Sequence, residues 1–187
     1  MSEFRVLMMC TANQCRSPMA EAIATAQLRE LGVTALVRSC GVLEGGFEAA
    51  SGAVRAIKAR GLDISEHVSA TLGPDTVAAA HLILTMERRH LTEIAGLDLD
   101  ALGRAFTLKE LAELAPQVGH RPPGSSTSSW IEQANRFRDA STVLSFDTGS
   151  DLKDPMGGPQ RAFNRSADEI TKLLDVVWSH LFPTTTG

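Results

Sequence analysis

Residues 4–22, "FRVLMMCTANQCRSPMAEA", decide how the chain is to be read. The apolar run at 5–9 suits a strand buried on both faces, and residues 18–31, "PMAEAIATAQLREL", are helix formers stopped by Gly32. Between them lie Cys10, Cys15, Arg16 and Ser17. Such a stretch serves a metal site, a redox pair, a lipid anchor or a nucleophile facing an anion, and each makes a different demand on the rest of the chain.

The strand-then-helix rhythm continues. Strands are expected at 34–39, 81–86 and 104–108, with helices at 51–60, stopped by Gly61, and 87–95. Parallel strands need crossovers that cover both faces of the sheet. The expected fold is therefore α/β: a three-layer αβα sandwich with a four-stranded parallel sheet and a ligand loop between the first strand and the first helix. "PQVGHRPPGSSTSSW" (116–130) reads as a mobile loop or insertion, 131–144 as a helix and 146–159 as a loop. A final helix is expected at 160–181, with apolar positions 163, 167, 170, 173/174, 177 and 181 on one face. The 187 residues suit one domain spanning 1–187.

Composition removes several functions. A net charge of −4 gives no general basic field for nucleic acid or anionic membrane. Three clustered cysteines make no disulfide framework and point to a reducing, cytoplasmic setting. "FRVLMMC" is too short for a secretory core, which removes the lipid anchor, and "VAAAHLIL" (77–84) is too short for a membrane span. His81, His90, His120 and His180 show no ligand spacing and no C-x-x-C pair exists, so neither metal nor other cofactor is expected. Cys40 reads as core, and the expected state is a monomer or weak dimer.

The nucleophile reading survives. A loop at the carboxyl edge of a parallel sheet turns successive backbone N–H groups inward, and the helix behind it adds partial positive charge. Pro18 suits the first helical turn and Ser17 the cap. That setting, with an adjacent arginine, favours a thiolate over a thiol, which makes Cys10 a candidate nucleophile. The planar fork of Arg16 can hold two oxygens of a phosphoryl group, a geometry lysine lacks. The Ser17 hydroxyl can steady the sulfur. By itself C-x5-R-S is a weak motif, since a cysteine at a strand end also serves as a small buried hydrophobe, and it gains value only with an acid elsewhere.

Those residues resemble the phosphate-binding loop of the low-molecular-weight protein-tyrosine-phosphatase family, whose pattern is C-x-G-N-x-C-R-S-P-x-A-E after an apolar strand. "RSCG" (38–41), "GLDISEHVSATL" (61–72), "HLILTMERRHL" (81–91) and "KDPMGGPQRAF" (153–163) resemble later family segments in the same order, and 115–145 is not covered. The resemblance implies Cys10 as nucleophile, Arg16 as phosphate clamp, Ser17 beside the thiolate and Asp154 as general acid. Pro155 independently supports Asp154 by stiffening its loop, whereas the rival Asp151 lacks a proline. Thr11, Ala12, Asn13, Gln14 and Cys15 would bind substrate through the loop, and Asn13, Ser39 and His67 would support it. The implied substrate is a phosphorylated protein or a small phosphoester, most directly phosphotyrosine.

The pattern also departs from the family. Ala12 replaces the usual glycine and would strain the loop if its φ had to be positive. An aliphatic residue at position 14 goes with phosphotyrosine in the family and threonine with phosphoarginine, whereas this chain has Gln14. Met156 replaces an aromatic cleft residue, leaving Phe47 and Trp130 as candidate stacking walls; either reads equally as packing, and packing is the preferred reading for Trp130. Cys15 reads either as a small buried residue or, from the resemblance, as a thiol that pairs reversibly with Cys10. Alternatives within the fold are an arsenate reductase, although 81–96 holds no resolving cysteine, or a phosphoarginine phosphatase. A phosphate-binding module without turnover is the third.

Overall fold

The computed structural model describes residues 3–145 and 147–184. The extreme ends of the 1–187 unit, and Phe146 at the start of the expected 146–159 loop, lie outside the described residues. Four strands, β1 (Phe4–Cys10), β2 (Ala35–Gly41), β3 (Leu82–Thr85) and β4 (Ala105–Thr107), form one parallel sheet in the order β2-β1-β3-β4. Strand β1 pairs with β2 on one side and β3 on the other, so the chain reverses its direction of travel across the sheet at β1. A crevice opens at such a point, outside the carboxyl ends of the strands. Cys10 closes β1 there.

Alternation along the strands divides the core in two. Phe4, Val6, Met8 and Cys10 face one side, with Leu82, Leu84 and Phe106. They pack against helices α1 (Arg16–Glu30), α2 (Ser51–Lys58), α5 (Leu108–Val118), α6 (Thr127–Phe137) and α7 (Gln160–Leu181). Leu7, Met9 and Ile83 face the other side, against α3 (Pro74–Ala79) and α4 (Arg89–Leu97) through Val77, Leu91 and Ile94. With both faces covered, the central strands read as near-continuous apolar runs, Val6–Cys10 in β1 and Leu82–Leu84 in β3. The expected three-layer α/β architecture is the observed one, and α7 matches its expected bounds at both ends.

Four local expectations change. Helix α1 begins at Arg16, not Pro18, and its cap is Cys15 without a side-chain bond, so Ser17 is not the cap. Helices α3 and α5 appear where none was expected, α5 opening on a reciprocal cap between Thr107 and Glu110. The helix expected at 131–144 is α6, four residues earlier at its start and ending at Phe137. The segment expected to be a mobile loop at 116–130 is structured at both ends: 116–118 close α5 and 127–130 open α6. The Trp130 indole is buried and donates to the Gly119 carbonyl at 2.8 Å. Arg121 N–H donates to the His180 carbonyl at 2.7 Å. Trp130 is therefore packing between helices and not a wall of the cleft.

Candidate active site

The loop from Cys10 to Arg16 is built from short-range constraints. Asn13 takes φ 52°, the one positive φ among the described non-glycine residues. Asparagine tolerates that conformation because its short amide can bond locally. The strain expected at Ala12 is therefore absent, since the left-handed turn falls one residue later. Asn13 is fully buried and its amide is spent on the surroundings: Nδ2 donates to Ser17 Oγ at 2.9 Å and Ser39 Oγ at 2.8 Å, and Oδ1 accepts from the Ala70 N–H at 2.8 Å. His67 Nε2 lies 2.7 Å from the Asn13 carbonyl. Asn13, Ser39 and His67 thus meet in one network under the loop.

Gly41, at the end of β2, is required by close approach. A Cβ there would lie 2.8 Å from Asn13 N and Thr11 O. The sequence motif "RSCG" contained this residue without indicating what it touches. The segment beyond it leaves the loop and returns to it: Val42 and Leu43 N–H donate to the Thr11 carbonyl, and Ala50 N–H donates to the Gln14 carbonyl at 2.7 Å. Phe47 stands on that excursion with 54% of its surface exposed.

The candidate site groups converge from both ends of the chain. Cys10 Sγ and Ser17 Oγ are 3.0 Å apart and buried. Arg16, 1% exposed, sends Nη1 to the Leu152 carbonyl at 2.8 Å and to Glu87 Oε1 at 2.6 Å, and Nη2 to Asp154 Oδ2 at 2.8 Å. Its Nε is buried without a hydrogen-bond partner among the described residues. Asp154 Oδ1 accepts the Met156 N–H at 3.0 Å, while the carboxylate stays half exposed. Asp151 faces elsewhere, its Oδ1 accepting the Arg88 N–H at 2.7 Å. Of the two aspartates, only Asp154 is gathered with Arg16.

The sequence reading missed Glu87, Arg89 and His90. Glu87 binds both Arg16 and Arg89. Burial would raise its carboxyl, but the Arg89 hydrogen bond and the Arg16 charge outweigh burial and hold it below the usual range. Thr11 Oγ1 lies 3.1 Å from His90 Nε2 and accepts from Arg89 at 2.8 Å. A charged residue directly after a buried strand, at the carboxyl edge of the sheet, was the available signal. Among the cysteines, burial raises the Cys15 thiol, with Asp154 and Cys10 adding to it, and pushes Cys40 up to about 12.

His90 carries a pH consequence. Burial, opposed by Glu87 and helped by Arg89 and Arg16, pushes it down to about 4 from the usual 6.5. As pH falls, the unfolded chain takes up this proton first, so stability is complete above about 6.5 and declines toward about 4. The expected loss is up to about 3 kcal/mol across that window. Urea midpoints measured through it should fall for the wild type, and His90→Gln should flatten that part of the dependence.

The sequence profile described as "Low molecular weight phosphotyrosine protein phosphatase" matches residues 5–119. The chain belongs to that family. It is 32% identical over 135 residues to "Probable low molecular weight protein-tyrosine-phosphatase EpsP" of Ralstonia nicotianae, covering 72% of this chain and 91% of that protein. It is 28% identical over 172 residues to "Protein-arginine-phosphatase" of Bacillus subtilis, covering 90% of this chain and 91% of that protein. Among solved structures, a YwlE mutant from Bacillus subtilis superposes with a TM-score of 0.73 at 27% identity, covering 96% of this chain and 99% of that one. The low-molecular-weight protein tyrosine phosphatase of T. tengcongensis does so at 0.68 and 30% identity, covering 94% and 97%. The protein is a hydrolase of the cysteine-dependent phosphatase type. No helix among the described residues is long and apolar enough to cross a membrane.

Proposed function

We propose that this phosphatase cleaves phosphotyrosine on proteins, with Cys10 as nucleophile, Arg16 as phosphate clamp and Asp154 as general acid and then base. The contact between Arg16 Nη2 and Asp154 Oδ2 carries the assignment, because it joins the loop arginine to a carboxylate 138 positions away in sequence. Arg16 Nη1 is committed to Leu152 and Glu87, which turns Nε and Nη2 toward an incoming phosphoryl group.

In the first step a sulfur lone pair attacks phosphorus in line, the phosphorus–oxygen bond to the phenol breaks, and Asp154 gives its proton to the departing oxygen. Phosphoryl oxygens take over the free edge of the Arg16 fork as charge spreads across them. Water then attacks phosphorus, Asp154 accepts the water's proton, and the sulfur–phosphorus bond breaks with its electron pair returning to Cys10. The Ser17 hydroxyl donates to that thiolate, while Asn13, Ser39 and His67 hold the loop open. The loop backbone from Thr11 to Cys15 cradles the phosphate. Phe47 and Met156, both about half exposed, supply apolar walls for a flat phenyl ring.

The test is hydrolysis of aryl phosphates in metal-free buffer under reducing conditions. Asp154→Asn should lower kcat/KM by about 100-fold, with phenyl phosphate hit harder than p-nitrophenyl phosphate because the poorer leaving group depends more on the proton. Equal loss on both esters would remove Asp154 from the acid role. A second reading, phosphoarginine, is favoured by the length of the match to the Bacillus subtilis protein-arginine-phosphatase. Matched phosphotyrosine and phosphoarginine peptides decide between them by their kcat/KM ratio.

A further inference from the structure

The geometry points to Arg88 as the residue that positions the acid loop, an inference that rests on Asp154 being the general acid. Arg88 is 5% exposed at the head of α4, directly after the arginine-binding Glu87. It holds the loop before Asp154 from two sides: its backbone N–H donates to Asp151 Oδ1 at 2.7 Å and its Nη2 donates to Ser150 Oγ at 2.9 Å. Its Nη1 donates to the Thr142 carbonyl at 2.8 Å and faces Glu110 Oε1 at 3.4 Å.

Glu110 is fixed in turn. Arg138 grips it with two bonds, Nε to Oε1 at 3.1 Å and Nη2 to Oε2 at 2.7 Å. Arg138 also donates to the carbonyls of Leu102 and Ala105, and its guanidinium lies 4.2 Å from the Phe106 ring centroid. Arg88, Glu110 and Arg138 are all buried. The arrangement ties the acid loop to α5, to the end of α6 and to the edge strand β4. Arg138 comes from the part of the chain that the family pattern does not cover.

This arrangement has a mechanical meaning. Among the described residues, Asp154 is held on its own side only by Arg16 and by its turn to Met156, and a phosphoryl group competes for Arg16. Once Arg16 turns to phosphate, the height of the carboxyl group over the leaving oxygen depends on where residues 150–152 are pinned. The Leu152 N–H to the Met86 carbonyl, Lys109 Nζ to the Asp151 carbonyl and Arg16 Nη1 to the Leu152 carbonyl, each at 2.8 Å, supply further pins. Arg88 alone engages two successive loop side chains. Misplacing a catalytic group by a small distance costs rate without costing affinity.

Leaving-group dependence of kcat/KM tests the role. Arg88→Met, with Glu110 still paired to Arg138, should lose about 10-fold on phenyl phosphate and less than about 3-fold on p-nitrophenyl phosphate, with phosphate inhibition unchanged. Arg88→Met breaks the Ser150 pin and keeps the backbone N–H bond to Asp151, whereas the double variant Ser150→Ala/Asp151→Ala removes both from the loop side, leaves Arg88 in its buried network, and should show the same selectivity at least as strongly. It gives the answer if Arg88→Met fails to fold. Asp154→Asn is measured alongside. If Asp154→Asn is leaving-group selective and the pin variants are not, the positioning role falls alone. Where Asp154→Asn is itself unselective, the acid assignment falls and takes the positioning role with it.

Discussion

Cys10→Ser is expected to lower aryl phosphate turnover by on the order of 10⁴-fold or more. A serine hydroxyl keeps its proton at neutral pH and needs a base to attack phosphorus. Among the described residues no base is hydrogen-bonded to it. The group within hydrogen-bonding distance of Sγ is the Ser17 hydroxyl, which itself receives the Asn13 amide. Any phosphoserine that forms would be released slowly, because an alkoxide leaves less readily than a thiolate. Phosphate binding should survive, since the substitution leaves Arg16 and its partners in place. Steady-state kinetics together with phosphate titration by calorimetry check both halves. Turnover within about tenfold of wild type would rule out Cys10 as the nucleophile.

Arg16→Lys is expected to cost about 1,000-fold in kcat/KM, and here phosphate binding should fall with turnover. Three nitrogens of the guanidinium do separate work: Nη1 fastens the arginine to Leu152 and Glu87, Nη2 meets Asp154, and Nε is free. A single ammonium on a flexible stem cannot satisfy a buried carboxylate and also present two parallel donors to phosphate. Glu87 would keep only Arg89, which is largely exposed. The opposite behaviour of the two variants toward phosphate separates the nucleophile from the clamp. A lysine variant that keeps wild-type phosphate affinity would show that the clamp lies elsewhere.

What could be read from the sequence was what is encoded locally. The Cys10–Ser17 loop and the helix behind it are contiguous, and strands buried on both faces appear as short apolar runs, so sheet and loop were legible together. Asp154 was legible through its proline and the family resemblance. Helix α5 was passed over because Pro116 and the Pro/Gly/Ser-rich stretch beyond it read as loop, although Thr107 and Glu110 carry a readable capping pair. The end of α6 was set by tertiary structure. Arg138 turns to extended backbone, and its guanidinium reaches inward to Glu110, 28 positions away. Ser17 looked like a helix cap because its competing partner, the Cys10 sulfur, is a neighbour only in three dimensions. Glu87 and Arg88 were invisible for the same reason, since Glu87 pairs with Arg16 of the phosphate loop and Arg88 with Ser150 and Asp151 of the acid loop.

The excursion from Val42 to Ala50 leaves the loop at Thr11 and rejoins it at Gln14, and between those attachments the N–H groups of Gly45, Gly46 and Phe47 donate to Thr71 and Ser69. A backbone carbonyl fixes each end, and a carbonyl does not depend on side-chain identity. In evolutionary terms, an outward side chain on the tip such as the exposed Phe47 can drift without touching the cysteine, the arginine or the asparagine beneath it, whereas Gly45 cannot, because a Cβ there would run into the Ser69 carbonyl. Selection can then act on what is dephosphorylated separately from how it is dephosphorylated. Exchanging the side chain at position 47 between relatives, with Gly45 and the bonds to Ser69 and Thr71 kept, would be a way to move preference from one phosphorylated side chain to another on an unchanged catalytic base.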